Sequence, residues 1–175
     1  MPNHVTNEIN VKCNPLVALR ISLAIGNISR NNIEVDFNRL IPSPPHVYRG
    51  NLSGQDERDF PLNWHTWNSE NWGTKWNAYN SHLSYKGGNL VILFDTAWRT
   101  PRPFICAFAN KFKMPFVLHS FDEGWNFALT EVWGKDAQRM TVRNLDHKNE
   151  MEYELLCDMC LRLKGYDPRE RDEEE

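Results

Sequence analysis

Ala78-Tyr79-Asn80-Ser81-His82-Leu83-Ser84-Tyr85-Lys86-Gly87-Gly88-Asn89-Leu90-Val91-Ile92-Leu93-Phe94-Asp95 is the stretch that decides the fold. Residues 78–85 carry a strand pattern, Lys86-Gly87-Gly88-Asn89 is hairpin-turn chemistry, and residues 90–95 form a second strand. The second strand is apolar on both faces, which marks it as central in a sheet. Everything else must fit around this hairpin.

Just upstream lies Trp64-His65-Thr66-Trp67-Asn68-Ser69-Glu70-Asn71-Trp72-Gly73-Thr74-Lys75-Trp76-Asn77, with four of the chain's seven Trp. The spacings Trp64/Trp67 and Trp72/Trp76 are compatible with a short helix. Before it, residues 43–63 are polar and irregular, opened by Ile41-Pro42-Ser43-Pro44-Pro45, where proline removes the donors a ladder needs. A connection of that length in a compact domain is functional or mobile.

Further upstream, residues 4–12 alternate with Val5, Ile9 and Val11 on one face, as in a half-buried strand. Asn14-Pro15 supplies a helix cap and a first-turn proline, and Gly26 or Asn27 closes the element. Leu16, Val17, Leu19, Ile21, Leu23, Ala24 and Ile25 cover most of this helix, so deep packing is expected. Residues 33–37 again have strand periodicity. Downstream, Thr100-Pro101 repeats the cap-plus-proline start, and Phe104, Ile105, Phe108 and Phe112 make an apolar helical stripe ended by Lys113 and Pro115. Strands are expected over 116–121 and 125–133, around a turn at Asp122-Glu123-Gly124. A charged helix follows from about residue 149 to 164.

Strand, helix, insert, strand, strand, helix, strand is the order of an α+β, ferredoxin-like (split βαβ) plait: an antiparallel sheet with both helices on one face. A single domain over residues 1–166 is expected, with a Trp-rich insert at about 43–78 and a C-terminal helix. Residues 167–175 read as an acidic, disordered tail.

Of the 175 residues, 41% are hydrophobic and 25% charged, ordinary for a globular domain, and the net charge of −3 resides largely in the tail. No strong non-specific nucleic-acid binding is expected, since that needs clustered Lys and Arg. No signal-peptide pattern and no membrane-length apolar run is present. Cys13, Cys106, Cys157 and Cys160 lack disulfide-framework spacing, which suggests reduced thiols in a cytoplasm.

Three segments carry a resemblance: Phe37-Asn38-Arg39-Leu40-Ile41-Pro42, Asn71-Trp72-Gly73-Thr74-Lys75-Trp76-Asn77-Ala78 and Phe94-Asp95-Thr96-Ala97-Trp98. They resemble the YubB-type ferredoxin-like domain family, small proteins of phages, plasmids and bacterial chromosomes, over roughly residues 3–135. The resemblance implies the plait, a mobile genetic element as the source and a bacterial host cytoplasm as the location. It implies no activity, and no catalytic residue transfers.

Two readings of the insert stand side by side. As a stacking platform, aromatic faces interleaved with Asn, Thr and Lys donors suit a nucleobase or peptide. As a plug, the insert folds over the sheet's helix-free face or edge and buries its own indoles. The first reading assigns ligand or partner binding to Trp64, Trp67, Trp72, Lys75, Trp76 and Asn77, with Arg39 and Asp95 as polar residues at strand ends. Asn38 and Arg99 belong to the same polar set, as anion or ribose binders or as turn and capping residues. Cys157-Asp158-Met159-Cys160 has the spacing of a zinc or redox pair but no second pair, so helix packing is expected. The acidic residues Glu150, Glu152, Glu154 and Asp158 are a nucleic-acid mimic or a solvated helix face.

No cofactor, metal site or catalytic residue is assigned. The sequence therefore points to a non-catalytic binding protein that engages a host protein or a nucleotide-like ligand, and the family resemblance implies anti-defence or support of DNA transfer as the setting. The alternative is a metal-dependent nucleotide or nucleic-acid phosphodiesterase in which His82 or His119 approaches Asp95.

Overall fold

The computed structural model describes residues 3–29 and 32–170, and it is an α+β fold. The strands are β1 (His4–Lys12), β2 (Gly26–Ser29), β3 (Asn32–Val35), β4 (Tyr79–Lys86), β5 (Asn89–Ala97), β6 (Phe116–Asp122), β7 (Ala128–Trp133) and β8 (Arg139–Leu145). Six of them form one sheet in the order β4-β5-β1-β6-β7-β8, antiparallel at every pairing. The helices are α1 (Pro15–Ile25), α2 (Gly54–Asp59), α3 (Trp64–Asn71), α4 (Arg102–Phe112) and α5 (Glu150–Lys164).

The hairpin that organises the sequence is β4–β5, and β5 lies between β4 and β1 as its two-sided apolarity requires. Successive residues on a strand face opposite sides of the sheet. Ile92, Leu118 and Leu129 belong to one core with Ile21 and Ile25 of α1 and Phe104, Ile105 and Phe108 of α4. Phe121 and Ala128, of the other parity, form a second core with Leu156, Met159, Cys160 and Leu163 of α5, and Leu93 packs against it. Helices α1 and α4 thus cover one face, and α5 covers part of the other.

Several expectations are corrected. The insert packs with α1 and α4, not over the opposite face: Trp67, Trp72 and Phe37 share the first core. Residues 54–59 are helical, because Ser53 and Asp56 form a reciprocal capping box at the start of α2. Asn14 caps α1 as read, with its side chain accepting from Val17 N, yet the helix is not deeply packed. Its Leu16 is 79% exposed, and Leu19 and Leu23 also face outward. Only the Ala18, Ile21, Ser22 and Ile25 side meets the core.

The strand expected over residues 33–37 pairs only with β2, as a two-stranded ribbon outside the main sheet. Strand β7 begins at Ala128, since Trp125 sits at φ +60 in the preceding turn. Strand β8, not expected from the sequence, has only the short alternation of Met140 and Val142 with Arg139, Thr141 and Arg143, and both apolar side chains are exposed. Thr100 does not cap α4; its buried hydroxyl has no hydrogen-bond partner among the described residues. Of the expected tail, Pro168–Glu170 forms a 3-10 turn, and Arg169 bonds to Asp167, Glu154 and Asp158. Residues 171–175 lie outside the described residues. The acidic face of α5 is thereby partly neutralised, and Arg143 lies 3.8 Å from Glu152.

A buried ion cluster ties α4 to the last hairpin. The Glu131 carboxylate, fully enclosed on β7, accepts from Arg102 of α4, from Arg139 Nη1 at 3.0 Å and from Trp133 Nε1 at 3.1 Å. A charge so enclosed is tolerated only when paired this completely.

Candidate functional site

The insert is built from the inside outward. Asn63 caps α3, its side chain accepting from Thr66 N at 3.0 Å. The next turns drive Trp67 and Trp72 inward, to 8% and 5% exposure. Trp72 Nε1 donates to the Ile41 carbonyl at 2.9 Å, which answers the donor that a buried indole carries. Its ring meets Trp67 and Phe37 edge-on, with centroids 5.3 and 5.8 Å away. Trp64 is half-buried, with Nε1 donating to the Gly50 carbonyl. For Trp67 and Trp72, then, the plug reading holds.

Helix α3 ends at Asn71, so Trp72 and Trp76 do not share a helical face. Gly73, at φ +79, reverses the chain, and a Cβ there would lie 2.7 Å from Pro103 Cδ. Asn68 Nδ2 donates to the Lys75 carbonyl at 2.8 Å, and Thr74 Oγ1 donates to the Ala97 carbonyl at 2.9 Å. These bonds dock the turn against the end of β5 and leave Lys75 and Trp76 on its outer side.

There Lys75 links Trp76 to Trp98, a residue not singled out as a site from the sequence. Trp98 follows β5 in a tight turn at φ +64, a backbone state costly for a bulky side chain. The turn is held by Trp98 N donating to the Asn3 carbonyl and by Thr96 Oγ1 donating to the Arg99 carbonyl. The two rings are 36% and 46% exposed. Lys75 Nζ lies between them, 5.1 Å from the Trp76 ring and 5.3 Å from the Trp98 ring, within cation–π range.

A cleft of about 300 Å³ beside this group is lined by Ser69, Gly73, Thr74, Lys75, Trp98 and Arg99. A second, of about 390 Å³, opens on the other side of Lys75 against Arg49, Glu57, Trp64 and His65. Neither Lys75 nor Arg99 has an ion-pair partner among the described residues. The signal for Trp98 was its position, an indole stranded between the end of a strand and the Thr-Pro start of a helix.

Other expected site residues have structural work or stand apart. Asn77 Oδ1 accepts from Phe37 N and Ala78 N, and its Nδ2 donates to Asp36 at 2.7 Å. Burial acts to raise the Asp36 carboxyl, but bonds from Asn77, Asn38 and Asn27 outweigh it and hold it below the usual range. This knot clamps the two ends of the insert. Arg39 donates to the Leu23 carbonyl near the end of α1. Asp95 lies on the α5-side face of the sheet, accepting from Thr6 Oγ1 at 2.6 Å and Asn80 Nδ2 at 3.0 Å.

The expected approach of His82 or His119 to Asp95 is not found. His82 is exposed opposite Leu93 on β5. His119 stands in register with Glu8 and shares a 2.9 Å bond with Thr130 Oγ1. Burial, with the nearby Arg162 charge, pushes the His119 imidazole down, while Glu8 opposes this. Glu8 itself is taken by Arg162 of α5 and Asn10. Cys157 and Cys160 are buried in α5, where burial raises both thiols. Among the described residues no three His, Cys, Asp or Glu side chains converge as metal ligands, and no helix is long and apolar enough to cross a membrane.

At the sheet end near Trp76, His4 Nδ1 lies 2.6 Å from Tyr79 Oη. Burial, with Asp95 and Glu123 adding, pushes the Tyr79 phenol up to about 12. Comparisons with known protein families, with curated proteins and with solved structures find no match to this chain.

Proposed function

We propose that this chain is a binding protein whose contact surface is the outer layer of the Trp insert: Trp76, Lys75, Trp98 and Arg99, with Trp64 at its margin. The observation that carries the proposal is the Lys75 ammonium held between two exposed indoles, one of them on a backbone at φ +64. Strain of that kind persists only where surrounding bonds impose it, and it clusters at functional positions. Exposed Trp beside Arg is also the composition of interface anchors.

The framework beneath is read as a ferredoxin-like plait. Supporting this are the order β4-β5-β1-β6, antiparallel throughout, and the placement of α1 and α4 on one face. Strands β7 and β8 and helix α5 are additions to it. The resemblance over residues 71–78 supports a mobile genetic element in a bacterial cytoplasm as the setting, with a host macromolecule or a nucleotide-like ligand as the partner.

The test is capture from bacterial lysate on immobilised protein, with mass spectrometry of both the proteins and the small molecules released. The comparison is a Trp76→Ala/Trp98→Asn double variant. Asn tolerates the left-handed backbone, so that change removes the ring without adding strain. The double variant should keep the wild-type circular dichroism spectrum and urea midpoint and lose the captured species. Equal capture by both proteins, or none by the wild type above bare resin, overturns the proposal.

A further inference from the structure

We infer that the cleft between Lys75, Trp98 and Arg99 binds a phosphorylated nucleoside of mononucleotide size, its base on the Trp98 indole and its phosphate between Lys75 Nζ and the Arg99 guanidinium. This rests on the contact surface proposed above and names the class of ligand it takes.

Charge is the first argument. Two of the cleft's lining side chains are cations, none is a carboxylate, and neither cation has an ion-pair partner among the described residues. An anion that reaches both gains charge-assisted bonds, and the planar fork of Arg matches phosphate oxygens. Ser69 donates its hydroxyl hydrogen to the His65 carbonyl, which leaves its exposed oxygen as an acceptor for a ribose hydroxyl.

The aromatic wall is the second. A Trp98 side chain held by its turn away from both cores offers a flat face to a flat ligand, and base–indole stacking contributes on the order of 1–3 kcal/mol. Lys75 Nζ sits 5.3 Å from that ring, so cation and stacking face lie within one small molecule's reach. A ligand with only one of these features leaves the other wall idle.

Size and overall charge are the third. At about 300 Å³ the cleft lies at the lower end for small-molecule sites. The chain's net charge of −3 offers no extended cationic track for a polymer. A free mononucleotide satisfies both limits.

Isothermal titration with AMP, GMP, CMP and UMP, against adenosine and ribose 5-phosphate as the separated halves, tests this. At least one mononucleotide should bind saturably at one site, with each half at least about tenfold weaker. Lys75→Gln and Trp98→Asn should each weaken that binding by about tenfold or more, with unchanged urea midpoints. Absence of binding by all four at millimolar concentration, or Lys75→Gln with wild-type affinity, overturns the inference. So does equal binding of an oligonucleotide lacking terminal phosphates. If no mononucleotide binds while lysate capture still depends on Trp76 and Trp98, the ligand class fails and the contact surface stands. If a mononucleotide binds with the expected variant losses while capture is insensitive to both rings, the ligand class stands and the partner surface lies elsewhere.

Discussion

Replacing Trp72 separates plug from platform within one segment. Its indole is nearly enclosed, meets Phe37 and Trp67 edge-on and donates to the Ile41 carbonyl. Truncating such a ring to Ala costs about 3–5 kcal/mol in transfer and cavity terms. The Ile41 carbonyl loses its partner, which adds about 1 kcal/mol. A loss of about 4–6 kcal/mol is a large share of the 5–15 kcal/mol typical of a domain. With a urea dependence of about 2 kcal/mol per molar, the midpoint should fall by about 2–3 M. Trp72→Phe keeps most of the ring and discards only the N–H and part of the volume, so it should lose about 1–3 kcal/mol. Trp98→Asn, in contrast, should sit within about 0.5 kcal/mol of wild type, because that ring is exposed and its turn no longer strained. Equilibrium urea unfolding followed by circular dichroism, with coincident near-ultraviolet loss, measures all three. A Trp72→Ala protein with the wild-type midpoint would refute the placement of that indole in the core.

Three further outcomes follow from the same physics. Glu131→Gln removes the charge that holds Arg102, Arg139 and Trp133 together and should cost about 2–3 kcal/mol in urea unfolding; a change under about 0.5 kcal/mol would mean the cluster contributes nothing net. Gly73→Ala meets both a positive φ and Pro103, and should lose about 1–3 kcal/mol in the same assay, whereas an unchanged midpoint would place the turn elsewhere. Tyr79 should form phenolate near pH 12 by ultraviolet absorbance. Its folded value is raised above the ordinary 10.0, so its contribution to stability is complete below pH 10 and disappears as pH rises toward 12. Tyr79→Phe should flatten that alkaline loss, and an unchanged slope would contradict the burial assigned to it.

Elements with strong local signals are where the sequence expects them. Asn14-Pro15 starts α1, Gly87-Gly88 turns the β4–β5 hairpin, and the Phe104/Phe108 stripe is the buried side of α4. Helix α5 is also where its pattern places it. Elements without such signals were missed. Strand β8 is an exposed edge whose brief alternation of Met140 and Val142 buries neither side chain, and its ladder to β7 supplies what its side chains do not. Leu16, Leu19 and Leu23 suggested a buried helix because composition counts apolar residues without knowing how wide a face the sheet can cover.

The residues proposed for binding divide along the same line. Composition identified an indole-rich insert next to the central hairpin, and its density of Trp, Asn and Lys pointed to it as a site. Which rings face the core depends on contacts between residues far apart in the chain: Ile41 answering Trp72, Asn77 bonding Asp36, Thr74 reaching Ala97. Trp98 joins Trp76 only because the end of β5 and the insert's turn meet in space.

Local pattern alone determined α1, α4, α5 and the hairpin, since caps, turns and apolar periodicity act over a few residues. Tertiary structure decided which side of the sheet the insert covers, that His82 and His119 stay apart from Asp95, and that Lys75 lies between two outward indoles. These are long-range pairings, and their free energy comes from burial and hydrogen bonds completed only when the whole sheet is assembled.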